Sequence, residues 1–199
     1  NNNDISAVGA NSFRKYGENG TTTLNSGTGN ITVGDQGIGI YGVSYQNPAA
    51  PGLHGGGTIN ISNVGTITGN GGSGTIGIYS HVNKAGGLKT DASVTLTGGT
   101  INLGSVTGAI GVYVNKGQIT DTTGSTITVG NNGIGIYAKD ADLNLNGTTI
   151  NLHGNNALGM YLEGDTNLFT GNGTIDINGQ NVVLFYMYTA AGNTINNNF

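Results

Sequence analysis

A four-residue phrase, aliphatic-Gly-aliphatic-Tyr, returns along this chain at near-constant spacing. It reads Ile38-Gly39-Ile40-Tyr41, Ile76-Gly77-Ile78-Tyr79, Ile110-Gly111-Val112-Tyr113, Ile134-Gly135-Ile136-Tyr137 and Leu158-Gly159-Met160-Tyr161, with a degraded sixth copy at Val183-Leu184-Phe185-Tyr186. The tyrosines of the last four copies are 24, 24 and 25 residues apart. A fixed period in this range marks a solenoid, whose repeats stack because no single repeat can bury its own apolar edge.

Each period holds three apolar pairs. Pair A follows Thr or Asn: Ile31/Val33, Ile101/Leu103, Ile127/Val129, Ile150/Leu152 and Ile175/Ile177, with Ile67 a reduced copy. Pair B is the recurring phrase. Pair C is Ile59/Ile61, Val94/Leu96 and Leu143/Leu145, with Ile119 and Leu168 as single remnants. Residues two apart share one side of a strand. Thr, Ile, Val and Tyr favour strands, and Gly and Asn favour the turns between them. The reading is an all-β, parallel β-helix with three short strands per coil of about 24 residues and about six to seven coils. Parallel crossovers are right-handed by strong preference, so a right-handed coil is expected. Each coil adds about 4.8 Å, which makes a rod on the order of 30 Å long.

We read one structural domain: residues 24–199 as the β-helix and residues 1–23 as an irregular first coil or cap. The 199-residue chain shows no signal peptide and reads as a fragment of something longer. Two coils break the period, and their excess lies in insertions at 42–57 and 80–92. Both leave the same B–C corner, so they should protrude side by side, where repeat scaffolds often carry their working residues. Tyr45, His54, His81, Lys84 and Lys89 are the candidate ligand contacts there; tolerated surface loops are the plain alternative.

Strict alternation puts Ile134 and Ile136 inside and Gly133 and Gly135 outside. The phrase glycines would then form a bare stripe, either a site of close backbone approach or a groove for a ligand or neighbouring chain. Asn132, Asn156 and Asn181 each precede a phrase tyrosine by five residues and should form a side-chain ladder. Tyr113, Tyr137, Tyr161 and Tyr186 should stack as well. By alternation they face outward, where aromatic rings could receive sugars; at a strand corner they would cap the core, which is the reading we favour. Lys139 and Glu163 should be neighbours on adjacent coils.

Signals for chemistry are sparse. Only 8% of residues are charged, the net charge is −4 and the pI is near 5.0. That leaves no basic footprint for nucleic acid and no polybasic membrane anchor. No cysteine is present, so thiol chemistry and zinc–thiolate sites are excluded. His54, His81 and His153 lack metal-ligand spacing. Gly37-Ile38-Gly39-Ile40-Tyr41-Gly42 matches G-x-G-x-x-G, but the helix that motif requires does not follow. Asp140, Asp142, Glu163 and Asp165 are the one acidic cluster, spaced to converge at one corner. They read as solvated turn residues, with a calcium site or a glycosidase-type carboxylate pair as the sharper alternatives. No cofactor is expected.

The phrases Gly133-Ile134-Gly135-Ile136-Tyr137-Ala138-Lys139, Ala109-Ile110-Gly111-Val112-Tyr113 and Asn156-Ala157-Leu158-Gly159-Met160-Tyr161 resemble the passenger repeats of large type Va autotransporters. The closest likeness is to fusobacterial outer-membrane adhesins, and it covers roughly residues 24–190. The resemblance implies a non-enzymatic β-helical passenger, exposed at the bacterial surface or secreted. It also implies attachment to a host-cell receptor or glycan, or to another bacterium, or service as a stalk for a distal tip. Membrane contact would come only through a β-barrel absent from this stretch. A carbohydrate-active β-helix enzyme (polysaccharide lyase or hydrolase) built on the acidic cluster is the alternative class.

Overall fold

A computed structural model of the chain describes residues 5–7, 13–18, 22–25, 29–45, 59–62, 65–83, 86–164, 168–188 and 194–199. Nineteen strands are present among them. In chain order they are β1 (Ile5–Ala7), β2 (Phe13–Glu18), β3 (Thr22–Asn25), β4 (Asn30–Val33), β5 (Ile38–Tyr45), β6 (Ile59–Ser62), β7 (Thr66–Gly69), β8 (Ile76–Asn83), β9 (Ala92–Leu96) and β10 (Thr100–Leu103). There follow β11 (Ile110–Asn115), β12 (Gln118–Asp121), β13 (Thr126–Val129), β14 (Ile134–Lys139), β15 (Asp142–Leu152), β16 (Leu158–Glu163), β17 (Leu168–Ile177), β18 (Val183–Tyr188) and β19 (Thr194–Asn198).

Every pairing is parallel and joins a strand to its counterpart one turn away, which makes the molecule a parallel β-helix. The phrase strands form one seven-stranded sheet, β18-β16-β14-β11-β8-β5-β2. The A and C strands join into a twelve-stranded sheet because β15 and β17 each run unbroken from a C position into the next A position. The apolar pairs face the axis: Ile127, Val129, Ile150, Leu152, Leu143 and Leu145 are fully or almost fully buried. Apolar burial of this kind, repeated turn on turn, is the main driving force for the fold.

The phrase strands correct the alternation expected for them. Gly39, Gly77, Gly111, Gly135 and Gly159 are buried, whereas Ile38, Ile76, Ile110, Ile134 and Leu158 are half-buried on the outer side. The register pairs Ile110 with Ile134 and Val112 with Ile136, and skips the glycines between. Two successive residues, Gly and the following aliphatic, therefore face inward, and the alternation shifts as in a β-bulge. There is no bare outer stripe. The glycine is needed because the next turn lies against it: a Cβ on Gly135 would stand 2.6 Å from the Gly159 carbonyl oxygen and 2.6 Å from Ile150 Cγ2. The same oxygen-to-Cβ approach of 2.5–2.6 Å recurs at Gly39, Gly77, Gly111 and Gly159.

The shift also settles the tyrosines. They lie mid-strand on the outer side rather than at a corner capping the core. A second correction concerns the C strand of β17. Phe169, not Leu168, is in register with Leu143 and fully buried, while Leu168 is exposed. A one-residue slip in a strand exchanges its faces.

The turns leading into the phrase strands carry a left-handed residue five positions before each tyrosine: Gln36, Gly74, Gly108, Asn132, Asn156 and Asn181. Asn and Gly tolerate that region best.

Two substitutions test this packing by chemical denaturation. Gly135→Ala is expected to destabilise the fold by about 1–3 kcal/mol, since the added methyl overpacks a closed contact. Ser80 sits in the core with no hydrogen-bond partner for its hydroxyl among the described residues, at the position that Val114, Ala138 and Leu162 fill in later turns. Removing a buried, unsatisfied hydroxyl relieves a desolvation cost, so Ser80→Ala should raise stability by about 1 kcal/mol.

Candidate binding face

The outer side of the seven-stranded sheet is built of three columns. The first is aliphatic: Ile38, Ile76, Ile110, Ile134, Leu158 and Val183. The second is the tyrosine row, Tyr41, Tyr79, Tyr113, Tyr137, Tyr161 and Tyr186; Tyr16 of β2 holds the same register beneath Tyr41. The third is mixed: Val43, His81, Asn115, Lys139, Glu163 and Tyr188.

Parallel in-register pairing brings each tyrosine ring onto the next. Tyr41 and Tyr79 stack with centroids 5.0 Å apart at 10°, and Tyr79 and Tyr113 at 4.9 Å and 11°. Both faces of the Tyr79 ring are thus occupied by tyrosine, which leaves edge and hydroxyl to meet a ligand. Tyr137 is turned against both neighbours, at 75° to Tyr113 and 64° to Tyr161. Its hydroxyl donates to the Glu163 carboxylate on the next turn, which also accepts from Lys139 Nζ at 2.6 Å. Lys139 and Glu163 therefore meet across turns as their spacing implied. The two hydrogen bonds hold the Glu163 carboxyl below its usual range. Burial and the bond to Glu163 push Tyr137 upward, and Tyr79 is pushed up to about 12 by burial and by its tyrosine neighbours.

His81 follows Tyr79 on the same outer face, with Nδ1 3.5 Å from the Tyr79 hydroxyl and the rings edge-on at 6.3 Å. Burial and the nearby Lys116 lower its pKa, which favours the neutral imidazole. Beside it, Asn115 Oδ1 is buried and has no hydrogen-bond partner among the described residues.

The insertions begin as strand. Residues 42–45 and 80–83 continue β5 and β8, which pair through Gly42–Ser80, Val43–His81, Ser44–Val82 and Tyr45–Asn83. The two segments therefore leave side by side, two residues beyond the ends of the other phrase strands. His54 and Lys84 lie outside the described residues. Lys89 stands in a short 3-10 turn, Lys89–Asp91, and its Nζ is 2.6 Å from Asp142 Oδ1, two turns along the axis. Asp142 Oδ1 also accepts from the Leu168 backbone N–H at 3.0 Å. One carboxylate thus ties the second insertion to a later turn.

The acidic residues at this corner have distinct engagements. Asp142 meets Lys89, and Glu163 meets Lys139 and Tyr137. Asp140 occupies a left-handed turn position, as do Lys116 and Gly164, each three residues after a phrase tyrosine. Asp165 lies outside the described residues. Among the described residues, no group of three or more His, Cys, Asp or Glu is arranged to hold a metal ion. Nor is any helix long and apolar enough to cross a membrane, a statement that does not extend to β-barrels.

On the neighbouring turn edge, Asn156 Nδ2 donates to Asn132 Oδ1 at 3.3 Å, and Asn181 continues their backbone position. A tighter ladder runs one residue earlier. Asn131 Oδ1 accepts from the Asn155 N–H at 2.8 Å, and Asn155 Oδ1 accepts from the Gln180 N–H at 2.9 Å. Sequence reasoning also missed Asp121, a fully buried carboxylate at an inward C position. It accepts from the N–H groups of Thr123, Gly124 and Ser125 and from the hydroxyls of Ser125 and Thr148. The signal was available: Ile119 lacks its apolar partner two residues on, and Asp121 stands there before a Thr-Thr-Gly-Ser turn.

Comparison with protein-family models, with curated proteins and with solved structures found no match to this chain.

Two outcomes check this arrangement. Asp121→Ala orphans buried donors on two turns, and denaturation should show a loss of about 1–3 kcal/mol. Because Glu163 is held below its ordinary value of 4.5, its contribution is full above that value and is lost as pH falls through the folded-state value. Unfolding midpoints measured from pH 7 to pH 3 should therefore fall less steeply at the acid end in Glu163→Gln than in the wild type.

Proposed function

We propose that this chain is a β-helical passenger segment of a bacterial surface adhesin of the autotransporter type, with no catalytic role, attaching to a glycan or receptor on host cells or other bacteria. The observation that carries the reading is the pair of extended strands, β5 and β8. They carry Tyr45 and Asn83 two residues beyond the ends of the other phrase strands, so both insertions follow from one edge of that sheet. Insertions that depart from one face of a repeat scaffold commonly mark its binding face. The resemblance of the phrase repeats to autotransporter passengers supports the same reading.

Stacking within the tyrosine row moves the expected contact away from sugar-on-ring packing and toward the polar column beside it. His81, Asn115 and Lys116 offer an acceptor or donor, an amide and a cation, next to the two insertions. Three polar groups of different kinds beside aromatic edges suit hydroxyl-rich ligands, which are recognised by directed hydrogen bonds.

Beads coated with the protein should adhere to host epithelial cells or to partner bacteria, and adhesion should fall at least tenfold on deletion of residues 46–57 or in the His81→Ala/Lys116→Ala double variant. Undiminished adhesion in both would move the contact elsewhere. No adhesion by the wild type would leave the segment as a spacer for a binding tip.

A further inference from the structure

We propose that Asn70 is a site of spontaneous deamidation, set apart by the fold from every other described Asn-Gly pair of the chain. Six such pairs occur in the sequence, of which Asn19-Gly20 lies outside the described residues. The other five are Asn70-Gly71, Asn132-Gly133, Asn146-Gly147, Asn172-Gly173 and Asn178-Gly179. All five asparagines are exposed, so access to water does not separate them. The reaction needs more than access. The glycine amide nitrogen loses its proton to hydroxide and attacks Cγ of the asparagine. The new N–Cγ bond forms, the bond from Cγ to the side-chain nitrogen breaks, and that nitrogen leaves as ammonia. Water then opens the cyclic imide at either carbonyl, giving aspartate or isoaspartate. Two conditions follow. The glycine N–H must be free of an acceptor, and the backbone must be able to turn until nitrogen meets Cγ.

Four of the five pairs fail a condition. The Gly133 N–H donates to the Gly130 carbonyl at 3.1 Å, and Asn132 is held in the left-handed region with φ of 55°. The Gly147 N–H donates to Asn172 Oδ1 at 2.9 Å, and the Gly179 N–H to the Leu152 carbonyl at 3.1 Å. Asn172 and Gly173 lie inside β17, in register with Asn146 and Thr148 of β15, where the ladder holds the backbone extended. Asn70-Gly71 fails neither condition. It lies in the bend between β7 and β8, and the Gly71 N–H has no hydrogen-bond partner among the described residues. Gly71 has φ of 72° and nothing within 4 Å of where a Cβ would stand. The bend is fastened on both sides of this point. The Asn70 N–H donates to the Val33 carbonyl at 2.8 Å, the Thr107 N–H to the Gly72 carbonyl at 3.0 Å, and the Ser73 N–H to Asp35 Oδ1 at 2.6 Å. The link left loose is the peptide that has to move. Either product adds a negative charge to a chain of net charge −4. The isoaspartate form also routes the main chain through the former side chain and lengthens the connection from β7 to β8.

Tandem mass spectrometry of peptides, taken while the folded protein is incubated at pH 8 and 37 °C, tests this. The site at Asn70 should gain one mass unit at least tenfold faster than Asn132, Asn146, Asn172 and Asn178. In guanidinium chloride, where the contacts of the fold are gone, the five sites should convert at rates within a few-fold of one another. Asn70→Gln, whose longer side chain has to close a less favourable six-membered ring, should lose the fast step while keeping its unfolding midpoint within experimental error. A folded protein in which any of the other four sites keeps pace with Asn70 would overturn the proposal. So would a tenfold lead of Asn70 that persists in denaturant, or a fast step at this position retained in Asn70→Gln.

Discussion

The architecture depends on one close approach: a backbone carbonyl set against the Cα of a glycine one turn below. The spacing of parallel strands is ordinary, but at this position the chain bends inward and leaves no room for a Cβ. Two consequences follow. The glycine and its aliphatic successor both face the axis, and the tyrosine that follows is carried outside. The outer face thus owes its aromatic row to a residue that contributes no side chain. A single-residue shift would exchange these roles along the whole strand, which is why the register is so firmly specified.

The aromatic row is uniform in position and not in orientation. Rings from Tyr41 to Tyr113 lie nearly parallel, while Tyr137 is turned by its bond to Glu163. Offset-stacked and edge-to-face arrangements are both favourable for aromatic pairs, so the turn costs little stacking energy. The column beside the row changes from His81 through Asn115 to the Lys139–Glu163 pair. Within one regular sheet, each level of the rod therefore presents different polar chemistry beside the same aromatic edge.

The period, the three apolar pairs and the β-helix were legible because they rest on spacing, which burial imposes directly. The facing of the phrase residues was not. Alternation assumes an unbroken pleat, and nothing in Ile-Gly-Ile-Tyr states that the glycine is skipped in the pairing. Leu168 and Phe169 are adjacent apolar residues, and only the register of β17 against β15 decides between them. Asp121 was not legible because a buried carboxylate is uncommon, and its five donors come from two turns, the farthest 27 residues away. The sheet edge from which the insertions depart was legible in part. The lengthened spacing after Tyr41 and Tyr79 located the insertions, but the bond from Lys89 to Asp142 depends on a side chain spanning two turns, which no local pattern encodes.

The unequal turns also bear on how the chain reaches this state. Among the described strands none pairs with its neighbour in sequence through a hairpin; each pairs with a counterpart a whole turn away. Tyr41 and Tyr79 are 38 residues apart, whereas Tyr113, Tyr137 and Tyr161 are 24 apart. Closing the longer loop costs about 0.4 kcal/mol more by chain entropy alone. The short, regular turns from β11 to β16 are accordingly the cheapest place to begin. Once two rungs exist there, later rungs add to a formed template. The irregularity that marks the candidate binding edge thus also carries the larger closure cost of the rod's turns.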